Sequence, residues 1–554
     1  MSGDLAATDS QQSTSPVLEK APERKDLFPH GWRLVFTAIG IYMSLYLVNL
    51  EVTIVSTSLI TITSDLNGFD KTSWIITGFL STYTGFMSIW TKISNIIGRK
   101  KTLIAANVMF LAFSLGCGLS KSINTLIICR SFQGIGGAGV YPLVILCAYE
   151  IAPKPQLPIY GAFTGLSIAC AAFTGPIFGG VLAQHHEWQW VFYINLIPGA
   201  IAVLMLVIAM PKEYGTVPSK PITHLKPNLP LFRHLDIVGA VWLLAGVLLL
   251  ITVLNEANIQ FDWSSGTAIG LLVLSAVSWI IFFAWEWWID GYPDYEPIFP
   301  VRFLFNRAWM GMLITTFVSG CPWNVVVVYL AQRFQVLEKM SPLSAGIHLI
   351  PYTALATVST TIASIACLRG RIPFVYIILF ASILHTVGIA LLSTLPESGP
   401  FPDAGYGYEV LAGSGVGVTI GILVLAVPYV VETRDLATAS GAINQCRFLG
   451  GAIGLAIASN IQTGDLKTQL SSTMSQDQLH LLLQNTGVLE TLPAQLKAQV
   501  LHVFAQGYTK QFQAMIAFAA VQIPSCLLML RRGSQYVAKD DDAEIPTQDK
   551  TVDL

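Results

Sequence analysis

The chain has 554 residues, 53% of them hydrophobic and only 12% charged, with a mean hydropathy of +0.60. Soluble domains carry about a quarter charged residues, so this composition excludes a soluble globular chain. The net charge of −2 says nothing about partners, and no basic patch suggests nucleic acid.

Residues 1–31 are polar and read as a disordered cytoplasmic tail. The first apolar run is too long for the core of a cleavable signal and reads as a retained span. A span needs about 20 predominantly apolar residues. Such runs occur near 33–62, 74–94, 102–120, 123–149, 159–183 and 189–210. After a polar connector, two more lie near 236–254 and 267–287. Then follow 308–332, 346–367, 374–394, 407–430, 443–462 and 509–530, making 14 spans. The runs are continuous, not alternating, which excludes a β-barrel and predicts an all-α polytopic membrane protein. Residues 463–508 read as a long external loop with amphipathic pieces, and 531–554 as a second cytoplasmic tail.

Lysine and arginine set the orientation. With the N-terminus in the cytoplasm, 22 cations fall in inside segments and seven outside; Arg130 and Arg447 lie within spans and complete the 31. The eight cysteines fall within or at the ends of spans, without metal or disulfide spacing, and read as small buried hydrophobes. His185 and His186 fall in a short external loop and read as solvated.

Glu51 and Arg130 are charges in the wrong solvent. A guanidinium keeps its charge in proteins, so Arg130 must face a bundle interior or an aqueous cavity. Arg130, Gln133, Gly134, Gly137 and Tyr141 share one helical face. Ser44, Glu51 and Ser58 share another, with Asn49 and Thr53 nearby. A carboxyl on such a stripe can gain and lose a proton; a Glu held by hydroxyls, or reaching the external interface, is the structural alternative. Gly161, Gly165, Ala172, Gly175 and Gly179 form a small-residue stripe suited to close helix packing. Pro176 removes a backbone hydrogen bond within that stripe and predicts a bend.

Four segments together resemble the major facilitator superfamily, in particular the 14-span drug:proton antiporters of fungi. TKISNIIGRKKTL (91–103) is similar to the gating motif G-x-L-(A/S)-D-x-x-G-R-(K/R). LIICRSFQGIGGAG (126–139) is similar to the fourth-helix motif L-x-x-x-R-x-x-Q-G-x-G. GPIFGG (175–180) matches the antiporter motif G-P-x-x-G-G, and LVNLEVTIVSTSL (47–59) resembles the first-helix L-D-x-T-I-V-N-x-A-L. SPLSAGIHLIP (341–351) and QCRFLGGAIGL (445–455) also look like that group, so the likeness covers about 33–530.

The resemblance implies two six-helix bundles, 32–210 and 288–530, with a cytoplasmic connector 211–235 and two extra helices within 236–287. It implies proton coupling by Arg130 with Glu51, an inner gate of Asn95, Gly98, Arg99 and Lys100, and an antiporter hinge of Gly175, Pro176, Gly179 and Gly180. Here Asn95 replaces the family's Asp, Thr91 its glycine and Glu51 the first-helix Asp, while WQW (188–190) replaces W-R-W. The gate's charge interaction thereby becomes a neutral hydrogen bond. Candidate cavity residues are Asn49, Tyr83, Gln133, Tyr141, Trp323, Asn324 and Gln445.

The expected activity is proton-driven export of hydrophobic or amphipathic small molecules by a monomer in the plasma membrane, energised by the proton gradient without cofactor or metal. Its partners are substrate, protons and lipid. Uptake or vacuolar loading of basic amino acids or iron chelates is one alternative; a non-transporting receptor is another. No H-E-x-x-H, G-x-S-x-G or paired-carboxylate motif points to an enzyme.

Overall fold

The computed structural model describes residues 29, 31–66, 72–151, 157–185, 187–211, 236–257, 261–292, 297–368, 372–397, 400–432, 435–471, 473–475, 478, 482 and 492–530. The expected tails 1–31 and 531–554 and the connector 211–235 lie almost wholly outside them, as does His186.

The described residues form fourteen long helices. They are α1 (Trp32–Asp65), α2 (Thr72–Ile97), α3 (Arg99–Gly118), α4 (Ile123–Ile151), α5 (Leu157–Gln184), α6 (Leu196–Ala209), α7 (Ile237–Glu256) and α8 (Gly266–Ile289). The rest are α9 (Arg307–Val325), α10 (Ile350–Leu368), α11 (Phe374–Leu392), α12 (Asp403–Val430), α13 (Leu436–Leu470) and α14 (Ala494–Leu528). Twelve are long and apolar enough to cross a membrane by length and composition; α2 and α13, equally long, are not among these twelve.

Local chemistry explains several ends. Asp236, Ser265 and Asn306 cap α7, α8 and α9 by accepting the amides of Gly239, Ala268 and Trp309. Gly98 separates α2 from α3 at φ 97°, a conformation other residues rarely adopt.

The expected loop 463–508 is shorter than its hydropathy suggests. α13 runs to Leu470 and α14 already begins at Ala494. The amphipathic piece starting at Pro493 simply extends α14, since one polar face lowers mean hydropathy without breaking a helix. The other piece, QDQLHLLLQ, falls mostly outside the described residues.

The packing repeats itself. α1 packs on α5 and α6, and α9 on α13 and α14. α4 packs on α2 and α3, and α12 on α10 and α11. α3 meets α6 as α11 meets α14. Two sets of six helices thus share one plan, as in transporters built from structural repeats. They meet where α2 lies on α13 and α5 on α10, while α7 and α8 pair with each other and α7 rests on α2 and α13.

Polarity is inverted relative to a soluble protein. Ile197, Ile280, Ile362 and Phe380 are exposed, while Ser44, Ser58, Asn107 and Gln511 are buried. Lipid removes most of the hydrophobic drive between helices, so close contact of small residues and interhelical hydrogen bonds hold the bundle. A Cβ on Gly417 of α12 would collide with the Ala356 carbonyl of α10, and one on Gly450 of α13 with the Phe317 carbonyl of α9.

This packing predicts different outcomes for two similar substitutions. Gly417→Ala should lower the thermal midpoint of the detergent-purified protein, because overpacking costs about 1–3 kcal/mol. Gly464→Ala, with nothing near its added Cβ, should leave it unchanged or raised. Equal midpoints for the two variants would refute the close-packing account.

Candidate functional site

Arg130 and Glu51 face each other inside the first set of helices. Arg130 Nη1 lies 2.6 Å from Glu51 Oε1, with side-chain exposures of 2% and 0%. Each charge has further partners. Arg130 also donates to Gln133 Oε1 at 2.9 Å and to the Ile75 carbonyl at 3.4 Å, and its guanidinium lies 4.3 Å from the Phe79 ring centre. Asn195, in the turn before α6, donates to Glu51 Oε2. Gln133 in turn donates to Ser114 Oγ of α3 at 2.7 Å. A buried ion pair persists only when such extra hydrogen bonds satisfy the remaining polar atoms. Leu50, Ile54, Ile75, Leu126 and Phe192 belong to the apolar cluster around it.

A separate cavity opens between the two sets of helices. Asn49, Tyr141, Trp323 and Asn324 line it. The other three candidates lie elsewhere. Gln133 is committed to the ion pair, because the face it shares with Tyr141 turns inward at that depth. Tyr83 is buried between Phe79, on which it stacks, and the edge of Phe448. Gln445 accepts a hydrogen bond from Ser88, bridging α13 to α2.

The wall carrying Trp323 and Asn324 is irregular. Pro322 interrupts the hydrogen bonding of α9, and a π-turn, Val326–Leu330, follows before helix resumes at Ala331–Val336. Irregular backbone at membrane depth is tolerated where it lines a cavity or is buried in protein.

The gating segment forms a tether at the Gly98 end. Arg99 donates to Asn95 Oδ1 at 2.6 Å and to Ser94 Oγ at 2.8 Å, and pairs with Glu150 of α4 at 3.0 Å. Lys100 donates to the Val207 carbonyl at the end of α6 at 2.7 Å. At the same end Tyr149 of α4 donates to the Val424 carbonyl of α12, across the two sets.

The glycine stripe of α5 serves two neighbours, not one. Gly175 abuts Thr53 of α1, and Ser58 donates to the Gly179 carbonyl at 3.0 Å, so this part of GPIFGG packs within its own set. Gly161 and Gly165 face Ser364 and Thr360 of α10, and Gly180 faces Leu343. α5 stays helical through Pro176. A tilted helix crosses one partner with part of a stripe and another with the rest.

Two residues were not singled out from sequence. Asn195 carried no signal beyond being an amide beside an apolar run. Arg447 did: it is an intramembrane cation, and it lines the cavity.

The comparisons with known proteins agree with this architecture. Residues 34–305 match the model of the Major Facilitator Superfamily. An MFS-type transporter of Fusarium mangiferae, FPY5, is 34% identical over 92% of this chain and 85% of its own length. The rubrofusarin-specific efflux pump aurT of Gibberella zeae is 25% identical over 94% of this chain and 96% of its own. Among solved structures, a bacterial homologue of the human lysosomal transporter Spinster, captured inward-facing and unoccupied, superposes with a TM-score of 0.55. That match covers 90% of this chain and 97% of the other at 13% identity, and carries the fold alone. The chain therefore belongs to the Major Facilitator Superfamily and is an integral membrane transporter.

Proposed function

We propose that this transporter is a proton-driven exporter of hydrophobic or amphipathic small molecules. It works as a monomer in the plasma membrane, with the Gly98 end in the cytoplasm, and changes no covalent bond in its substrate. The observation that carries the reading is the sealed Glu51–Arg130 pair. Relatives named as efflux pumps support the direction of transport.

The pair suits coupling because its balance changes with one proton. A protonated Glu51 no longer neutralises Arg130, and removing one partner of a buried ion pair costs about 3–5 kcal/mol. Each 1.4 kcal/mol is a factor of ten in an equilibrium. A proton can therefore shift the balance of two conformations by about a hundredfold or more, if only one of them compensates Arg130. A ligand or proton moves such an equilibrium only through this kind of difference. The signal has a short path to the cavity: Asn49 is two residues before Glu51 on α1, and Tyr141 lies on α4 with Arg130.

Glu51→Gln should abolish pH-gradient-driven substrate movement in proteoliposomes, a loss of about a hundredfold, while gradient-free exchange of substrate continues. Gradient-driven export at the wild-type rate by this variant would refute the coupling role of Glu51.

Asn95→Asp tests the gate. It would place a second carboxylate beside Arg99, which is already paired with Glu150. The existing pair is partly exposed, with side-chain exposures of 11% and 23%. Such pairs contribute about 1 kcal/mol or less, so export rates at pH 6 and pH 8 should each change by less than about fivefold. A change above tenfold, or a displaced pH profile, would make residue 95 part of the proton switch.

A further inference from the structure

Among the described residues the cavity has one formal charge in its lining, and it is positive. Arg447 projects from α13 among walls that contain no Asp, Glu, Lys or His. Its Nη2 donates to the Tyr141 hydroxyl of α4. Its guanidinium lies 5.0 Å from the Tyr141 ring centre and 4.5 Å from that of Phe448. Among the described residues no carboxylate pairs with it, and Glu150, on the same helix as Tyr141, is engaged by Arg99. A guanidinium has five N–H donors in a planar fork; one has a protein acceptor here. The remaining donors are free to take a bidentate anion, the geometry in which arginine binds carboxylates most strongly.

The surroundings specify the rest of the ligand. Tyr149, Tyr160 and Trp323 add aromatic surface to Tyr141 and Phe448, and Asn49 and Asn324 add neutral hydrogen-bonding groups. An apolar cavity with a cation and flat aromatic walls favours a planar body bearing a negative charge. It disfavours a cationic drug, which would meet like charge with no carboxylate to receive it.

We propose that Arg447 is a specificity-determining residue and that the substrates are aromatic weak acids bound as anions, their carboxylate, phenolate or enolate oxygens on the guanidinium. This rests on the export reading only in taking the cavity as the substrate site. The alternative role for Arg447 is a tether, holding α13 to α4 through Tyr141.

Equilibrium binding separates the two roles and needs no proton gradient. Isothermal titration of the purified full chain in detergent would use three probes of one shape: 2-naphthoate, neutral 2-naphthamide and the 2-naphthylmethylammonium cation. The anion should bind at least tenfold tighter than either of the others. Arg447→Gln should erase that preference while leaving the affinity for the amide within threefold. Asn324→Asp, which puts an anion into the wall and leaves Arg447 in place, should weaken naphthoate binding by about tenfold. It keeps the proposal testable if Arg447→Gln does not fold. No binding of the anion, equal affinities for the three probes, or an anion preference surviving in Arg447→Gln would overturn the proposal. Glu51→Gln should keep the preference even where it abolishes driven transport, so selectivity and coupling fail separately. Loss of the preference in that variant would assign selectivity to the sealed pair and overturn the assignment to Arg447.

Discussion

The ion pair between Glu51 and Arg130 organises the first half of this transporter. It draws α1 and α4 together, reaches α2 through the Ile75 carbonyl and the Phe79 ring, and reaches α3 through Gln133 and Ser114. Asn195 brings in the turn before α6. Every element that touches the pair satisfies a polar atom or covers it with apolar surface. A pair made this way has little tolerance for partial occupancy, because an unpartnered buried charge costs several kcal/mol. The half that contains it is therefore suited to move as a unit.

The second half repeats the packing without repeating the chemistry. α9, α12 and their neighbours adopt the contacts of α1, α4 and theirs. No buried Arg–Glu pair links α9 to α12 among the described residues; Arg333, at the end of the α9 segment, pairs with Glu338 in the loop that follows. The second half instead presents Arg447 to the cavity and interrupts α9 beside Trp323 and Asn324. Symmetry here is a property of helix packing, set by close contacts such as Gly417 with Ala356 and Gly450 with Phe317. Charge is laid over it asymmetrically, with the sealed Glu51–Arg130 pair in one half and the cavity-lining Arg447 in the other.

Much of this was legible in the sequence, for identifiable reasons. Spans were visible because lipid demands about 20 apolar residues in a row. Glu51 and Arg130 stood out because charge within such a run needs a partner. What was hidden depends on helix tilt and depth. Gln133 and Tyr141 share a face of α4, yet one lies in the ion-pair cluster and the other in the cavity. The glycines of α5 share a stripe, yet divide between α1 and α10. The ends of α13 and α14 were misplaced because hydropathy falls before helicity does. Arg447 was visible as an intramembrane cation, but nothing in its neighbouring residues told whether it faced a partner or an open space.

The gate shows why a motif must be read with its surroundings. Asn95 removes a negative charge where the family pattern has Asp, and in isolation that would leave Arg99 with only neutral acceptors. In the folded chain Glu150 approaches from α4 to 3.0 Å, and Asn95 keeps its acceptor role at 2.6 Å. The cation thus has a carboxylate partner, supplied by the end of α4. The next residue back along α4, Tyr149, bonds to α12 in the other half. The Glu150 carboxylate therefore ties the Gly98 turn to the helix end that contacts the opposite half, and that helix also carries Arg130. The gating-motif turn and the Glu51–Arg130 pair are thus both anchored on α4, one at each end of its contacts, without a charge at residue 95.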